Sequence, residues 1–174
     1  MNRFEELNRS HNRDGFDCGV KELNEFLKNL ARQNLKKGLS RTFVLTGKSF
    51  PEDILGYYTL SVFEVCAEKL PRKFAKKYKG NLPAIKVARL AVAKELQKQG
   101  IGKHMMINAM KRVINISKNV GIIGLFVDAK NQGAKEYYLN FGFIPLSDYS
   151  LKLFLPLNTL VQMYSSVFSN TELS

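Results

Sequence analysis

The segment from Ile85 to Ala129 constrains this chain more than any other. Ile85–Val92 (IKVARLAV) and Ile122–Ala129 (IIGLFVDA) are apolar, β-branched runs of the length expected of central strands. Between them, Gly102–Asn119 places Met106, Ala109, Met110 and Val113 on one face and His104, Asn108, Lys111 and Asn115 on the other, the pattern of an amphipathic helix. A strand, a helix and a strand in that order predict a right-handed crossover joining parallel strands. Around this unit, Val20, Leu23, Leu27 and Leu30 recur at helical spacing and predict a helix ending near Lys37-Gly38. Thr42–Leu45 and Ile54–Val65 read as strands, Ala134–Phe141 as a short helix, and Phe143–Leu146 and Leu151–Leu155 as closing strands. The expected class is α/β or α+β with a mixed sheet, in a single domain over residues 1–174.

Charge narrows the partners. The chain carries 27 Lys+Arg against 15 Asp+Glu, a formal net charge of +12, and a globular protein this basic usually meets a polyanion. The excess is concentrated: from Lys69 to Lys94 stand Lys69, Arg72, Lys73, Lys76, Lys77, Lys79, Lys86, Arg89 and Lys94 with no acidic residue among them. Arg72/Lys76 and Lys73/Lys77 fall one helical turn apart, with Phe74 and Tyr78 at the same spacing. Like charges crowded in this way predict RNA binding that weakens with salt, and a solvated lysine-rich loop is the plainer reading. Arg89 abuts the end of its strand and is expected either to hold an RNA end or to pair with a carboxylate.

Other classes fall away. The opening Met1-Asn2-Arg3-Phe4-Glu5-Glu6 predicts no secretory signal. The uncharged stretch Leu153–Thr171 is interrupted by Pro156, Asn158, Gln162, Ser165 and Ser166, too polar to span a bilayer. Cys18 and Cys66 are far apart and only His11 and His104 accompany them, so no metal site is expected, and reduced thiols in the cytoplasm are.

The loop between the first strand and the helix carries the chemistry. Gly100 and Gly102 stand where the helix opens, and free N–H groups at a helix N-terminus, with the dipole behind them, bind phosphate. Glycine lets the anion approach the backbone, and Lys98 and Lys103 bracket the loop with positive charge. It is neither a GK[ST] nor a GxGxxG loop.

Gln97-Lys98-Gln99-Gly100-Ile101-Gly102 resembles the [QR]-x-x-G-x-[GA] acetyl-CoA signature of the GNAT superfamily of N-acetyltransferases, and follows a strand ending Arg89-Leu90-Ala91-Val92 as it does there. Val127-Asp128-Ala129 and the following Asn131 through Tyr137-Tyr138 to Phe141-Gly142-Phe143 resemble the second hallmark of that family. Phe16-Asp17-Cys18-Gly19, Leu23-Asn24, Phe26-Leu27, Arg41-Thr42-Phe43-Val44 and Ile54-Leu55-Gly56-Tyr57-Tyr58 extend the resemblance to the GNAT toxins of bacterial toxin–antitoxin pairs, from about Phe16 to Pro145. Two positions depart from the pattern: Ala93 replaces an acid, and Lys98 replaces the first glycine of the loop.

The resemblance implies a GNAT-like sheet with a splayed parallel strand pair and flanking helices. It implies acetyl-CoA as co-substrate, held by the backbone of Leu90, Ala91 and Val92 and by Gln97, Lys98, Gln99, Gly100, Ile101, Gly102 and Lys103. Asn131 is expected to cap its helix or touch the cofactor. Tyr138 is the implied general acid, since a phenol is protonated at neutral pH and can donate to a departing thiolate. No general base is identifiable. The implied acceptor is the α-amine of an aminoacyl-tRNA, contacted by Arg89, Arg72, Lys73, Lys76 and Lys77. The implied partners are a small DNA-binding antitoxin and a second copy of the chain. Acetylation of a small amine or a protein N-terminus, and RNA binding without catalysis, are the competing readings.

Overall fold

A computed structural model describes residues 2–169. In chain order the elements are β1 (Arg3–Glu6), α1 (Lys21–Glu25), a π-helical turn (Phe26–Leu30), α2 (Ala31–Lys36), β2 (Arg41–Thr46), β3 (Ile54–Cys66) and α3 (Arg72–Ala75). They continue with β4 (Asn81–Val92), α4 (Ile101–Ser117), β5 (Gly124–Asp128), α5 (Gln132–Leu139), β6 (Ile144–Pro145), β7 (Lys152–Pro156) and α6 (Leu157–Ser169). The strands form one seven-stranded sheet in the order β1-β2-β3-β4-β5-β7-β6. Strands β1 and β2, β2 and β3, β5 and β7, and β6 and β7 pair antiparallel. The helical crossover α4 makes β4 and β5 the parallel pair, so the sheet is mixed as expected. No helix among the described residues is long and apolar enough to cross a membrane.

Two compact units make up the chain: Met1–Ser61 with Val87–Ala109, and Val62–Lys86 with Met110–Ser174. The core of the first gathers Phe16, Phe26, Leu27, Ala31, Val44, Tyr57 and Ala91. Tyr57 is fully buried, meets Phe16 edge-on at 5.5 Å, and satisfies its hydroxyl on the Leu23 carbonyl at 2.7 Å. The Asp17-Cys18-Gly19 sequence closes on itself: the Asp17 carboxylate accepts from the Gly19 N–H and the Asn24 amide, both at 2.8 Å. These donors, the Gly19 N–H first, hold the Asp17 carboxyl below its usual range.

The helix expected after Gly19 is present but is not regular. The Ala31 N–H bonds to the Phe26 carbonyl, five residues back, so one extra residue is wound into the turn. That insertion rotates the apolar stripe. Phe26, Leu27 and Ala31 are buried, whereas Leu30, predicted on the core face, is 47% exposed. Arg13 donates from Nη1 to the Lys28 carbonyl of this turn at 2.6 Å.

The second unit is built on stacked aromatics: Phe126 lies 4.8 Å from Phe154 and 4.9 Å from Phe63, and Phe74 meets Phe154 edge-on at 5.5 Å. Leu153–Thr171 resolves into β7 and α6, with Asn170 and Thr171 outside the described residues. Where β5 begins, Gly124 (φ +155°) passes so close to β7 that a Cβ would sit 2.2 Å from the Leu155 carbonyl oxygen and 2.7 Å from the Phe154 ring. Backbone cannot yield to such an overlap cheaply, and overpacking of this kind costs about 3 kcal/mol. Gly124→Ala is therefore expected to lower the urea unfolding midpoint by that equivalent, and an unchanged midpoint would contradict the close approach.

Candidate active site

In the first unit, β4 ends at Val92 and the chain is pinned immediately afterwards. The Ala93 N–H bonds to the Leu55 carbonyl and the Lys94 N–H to the Asp17 carbonyl, both at 2.9 Å. The Gln97 side-chain amide donates to the Val92 carbonyl at 3.0 Å and to the Cys18 carbonyl at 2.9 Å. Gln97 thus fastens the loop to the strand end and to the Asp17–Gly19 turn. Its amide is committed to protein carbonyls, and one lone pair of the Val92 carbonyl is committed to it.

The loop then turns sharply. Lys98 has φ +62° and Gly100 φ +82°, both left-handed. Lys98 occupies a conformation that favours glycine, which is the backbone demand behind the glycine usual at this position of the pattern. Lys98, Gln99, Gly100 and Lys103 are exposed, and Ile101 and Gly102 are half-buried at the start of the 17-residue α4. A Cβ on Gly100 would have nothing within 4 Å, and the first-turn N–H groups of α4 have no intrahelical acceptor. The loop is open to solvent at Gly100 and precedes the unpaired N–H groups of a helix start, the chemistry a pyrophosphate needs.

On the same strand, Leu90 and Val92 are half-buried and Ala91 is buried. Arg89 is half-buried, with its guanidinium carbon 3.6 Å from the centroid of the Phe26 ring. Among the described residues no carboxylate pairs with it. The expected choice between an anion receptor and a carboxylate pair at the sheet edge therefore falls against the pair. Phe26 stands in the sequence reading only as part of the Phe26-Leu27 pair of the resemblance, and its contact with Arg89 depends on the irregular turn, which spacing does not show.

Tyr138 and Asn131 lie in the second unit. Asn131 caps α5, accepting from the Ala134 N–H at 2.9 Å through Oδ1. Tyr138 is half-buried on α5, edge-on to Tyr137 at 5.3 Å and to Phe143 at 5.8 Å. Burial, with the neighbouring Tyr137 phenol, pushes the Tyr138 hydroxyl up to about 12, so it holds its proton throughout the neutral range. Burial also raises Tyr137, whose hydroxyl is enclosed without a hydrogen-bond partner among the described residues. On the same helix Lys135 is buried and donates from Nζ to the Asp148 carbonyl at 2.9 Å.

The basic run divides. Lys86 is not an open charge: it pairs with Asp128 and lies 4.9 Å from the Phe63 ring. Arg72, Lys73, Lys76 and Lys77 are exposed on and after α3, and the Lys73 and Lys77 ammonium groups each lie 5.8 Å from the Phe74 ring. Lys73 and Lys77 border an open cleft of about 500 Å³ lined also by Phe74, Tyr78, Ile123 and Leu157. His104 is exposed on α4, and His11 is buried with Nδ1 accepting from the Asn8 N–H at 3.0 Å. Among the described residues no three His, Cys, Asp or Glu gather as a metal site.

Residues 5–143 match the model of the acetyltransferase (GNAT) family. This chain belongs to the GNAT family. It is 27% identical over 128 residues to a tRNA-acetylating toxin of Mycobacterium tuberculosis, covering 74% of this chain and 75% of that one. It resembles the structure of AtaT complexed with acetyl-methionyl-tRNAfMet, with a TM-score of 0.86 and 31% identity, covering 94% of this chain and 99% of the other. A tyrosine-to-phenylalanine mutant of the AtaT toxin, bound to the C-terminus of the antitoxin AtaR and acetyl-CoA, superposes with a TM-score of 0.77 at 31% identity, covering 95% and 99%. The chain is thus an acetyltransferase of the GNAT fold.

The buried phenols give a pH dependence. Burial raises Tyr57, Tyr137 and Tyr138 above the ordinary value near 10. Above about pH 10 the unfolded chain then loses protons that the folded chain retains, so stability falls as pH rises. The contribution is complete below that point. Urea midpoints are expected to decline between about pH 10 and 12, and to decline less in Tyr138→Phe. A flat profile would remove the burial argument.

Proposed function

We propose that this GNAT enzyme transfers the acetyl group of acetyl-CoA to the α-amine of an aminoacyl-tRNA and so acts as a translation-blocking toxin. The observation that carries this reading is the likeness, over 94% of the chain, to AtaT complexed with acetyl-methionyl-tRNAfMet. The exposed Arg72, Lys73, Lys76 and Lys77 and the uncompensated guanidinium of Arg89 support it, because a polynucleotide would neutralise them. The family match over residues 5–143 supports reading both units as one catalytic domain.

In this mechanism the chain binds, orients and moves one proton. The loop from Lys98 to Gly102 and the first turn of α4 hold the diphosphate by backbone N–H groups, with Lys98 and Lys103 adding charge. Gln97 acts behind them, as the strut that keeps the loop against β4. The backbone of Leu90, Ala91 and Val92 orients the pantetheine arm and the carbonyl, where fixed donors lower the barrier by several kcal/mol. Bound acetyl-CoA supplies the acetyl group as a thioester. The neutral amine forms the new N–C bond as the C–S bond breaks, Tyr138 gives the sulfur its proton from Oη, the amine's surplus proton leaves to solvent, and solvent returns a proton to the Tyr138 phenolate. Asn131 keeps α5, and hence Tyr138, in place.

The partners proposed are aminoacyl-tRNA, a small DNA-binding antitoxin and a second copy of the chain, in the cytoplasm where tRNA is charged. The antitoxin is supported by the AtaT complex with the C-terminus of AtaR.

The deciding assay is transfer from labelled acetyl-CoA to total aminoacyl-tRNA, beside the same tRNA deacylated. Label on charged tRNA alone is expected. No label, with acetyl-CoA still bound, would discard the toxin reading and move the search to small amines and protein N-termini. Tyr138→Phe is expected to lower kcat roughly 100-fold or more, the usual contribution of a positioned acid, with acetyl-CoA affinity little changed. Wild-type turnover in that variant would take Tyr138 out of the mechanism.

A further inference from the structure

The contact between Arg89 and Phe26 has features that ordinary packing does not require. Phe26 is 2% exposed and belongs to the first unit's core, yet one face of its ring meets a guanidinium at 3.6 Å. The Tyr57 ring of the same cluster lies 6.3 Å away, inclined by 24° to Phe26. The ring is presented by the π turn, whose extra residue is tied at Phe26 itself through the Ala31 N–H bond. Irregular turns of this kind cost regularity and occur often at functional sites. Arg89 is on β4 three residues before Val92, with its side chain on the same face as Ala91, which packs in the Phe26 cluster. Stacking uses only the flat face of the cation. Its N–H edge lies in the plane and keeps its donors for a bidentate oxyanion.

We infer that Phe26 is a positioning residue for substrate recognition: it holds the Arg89 guanidinium flat, so that the N–H edge binds a phosphodiester of the acceptor RNA. This rests on the proposed RNA substrate, and it adds a residue that touches neither substrate nor cofactor. The π turn is part of the device, because it brings the Phe26 ring, with Leu27 and Ala31, onto the core face while Leu30 leaves it.

The test is the affinity for total tRNA, measured by fluorescence anisotropy on the full chain in Phe26→Leu, Arg89→Ala, Arg89→Lys and the Phe26→Leu/Arg89→Ala double variant. Phe26→Leu keeps apolar volume and removes the π face. A weakening of about 2- to 30-fold is expected, the range of a cation–π contact, together with a fall of about one in the slope of log affinity against log salt, as for one lost phosphate contact. In the Arg89→Ala background Phe26→Leu should have no further effect, since a residue acting through Arg89 cannot act without it. Arg89→Lys should bind as poorly as Arg89→Ala, because an ammonium offers no fork; this variant leaves the core intact if Phe26→Leu fails to fold. Additive effects in the double variant would make Phe26 merely structural and overturn the inference. Weakened acetyl-CoA binding with unchanged tRNA affinity would also overturn it, assigning Arg89 to the diphosphate. Loss of label transfer by the wild-type chain with the tRNA-binding cycle intact would instead reject the proposed reaction alone.

Discussion

Two left-handed positions, Lys98 and Gly100, let the chain leave β4 and enter α4 within a few residues. A wider connection would place the helix N-terminus away from the strand end. The turn is secured from behind by Gln97, bonded to the carbonyls of Val92 and Cys18, and the Cys18 segment is itself secured by Asp17 and Asn24. A glutamine usually read as part of a ligand signature is here part of the scaffold that gives the ligand loop its shape. Holding a lysine in the left-handed region costs about 1 kcal/mol. It places an exposed, ammonium-bearing side chain in the loop before α4, where a glycine would leave only backbone.

The central crossover was legible because strand and helix periods differ sharply and each run was long enough to show its own. The edges of the fold were less so. Four residues, Arg3–Glu6, are too few to show alternation, and β1 exists because β2 offers a partner along its full length. For α6 the signal was present, with Leu157, Leu160, Val161 and Tyr164 at helical spacing, but a stretch weighed only as a membrane span does not disclose an amphipathic helix. Leu30 was placed on the core face by a period of 3.6, which the π turn locally breaks. Composition carries no trace of such an insertion.

The candidate site was legible to different depths. Gly100 and Gly102 announce a loop at a helix start from their own chemistry. Tyr138 does not: without the resemblance it is one of two adjacent tyrosines, both raised by burial, of which Tyr138 is pushed up to about 12. Lys86 shows the limit of counting charge along a chain, because Asp128, distant in sequence, neutralises it. Arg89 shows the converse, a cation whose immediate neighbour is an aromatic ring and not an acid.

The helix after Gly19 holds one residue more than a regular α-helix of the same span, and that surplus bears on how the sequence can vary. Removing a single residue between Phe26 and Leu30 would let the segment close into continuous α-helix, with Phe26 and Ala31 then four residues apart and still on one face. The turn thus absorbs its surplus residue without turning the helix beyond it. What the surplus changes is the residue in between: Leu30, which a regular helix would carry one turn after Phe26 on the core face, is turned out to solvent. A change of length by one is therefore accommodated in this stretch, whereas inside a regular helix it would reset the face of every residue beyond.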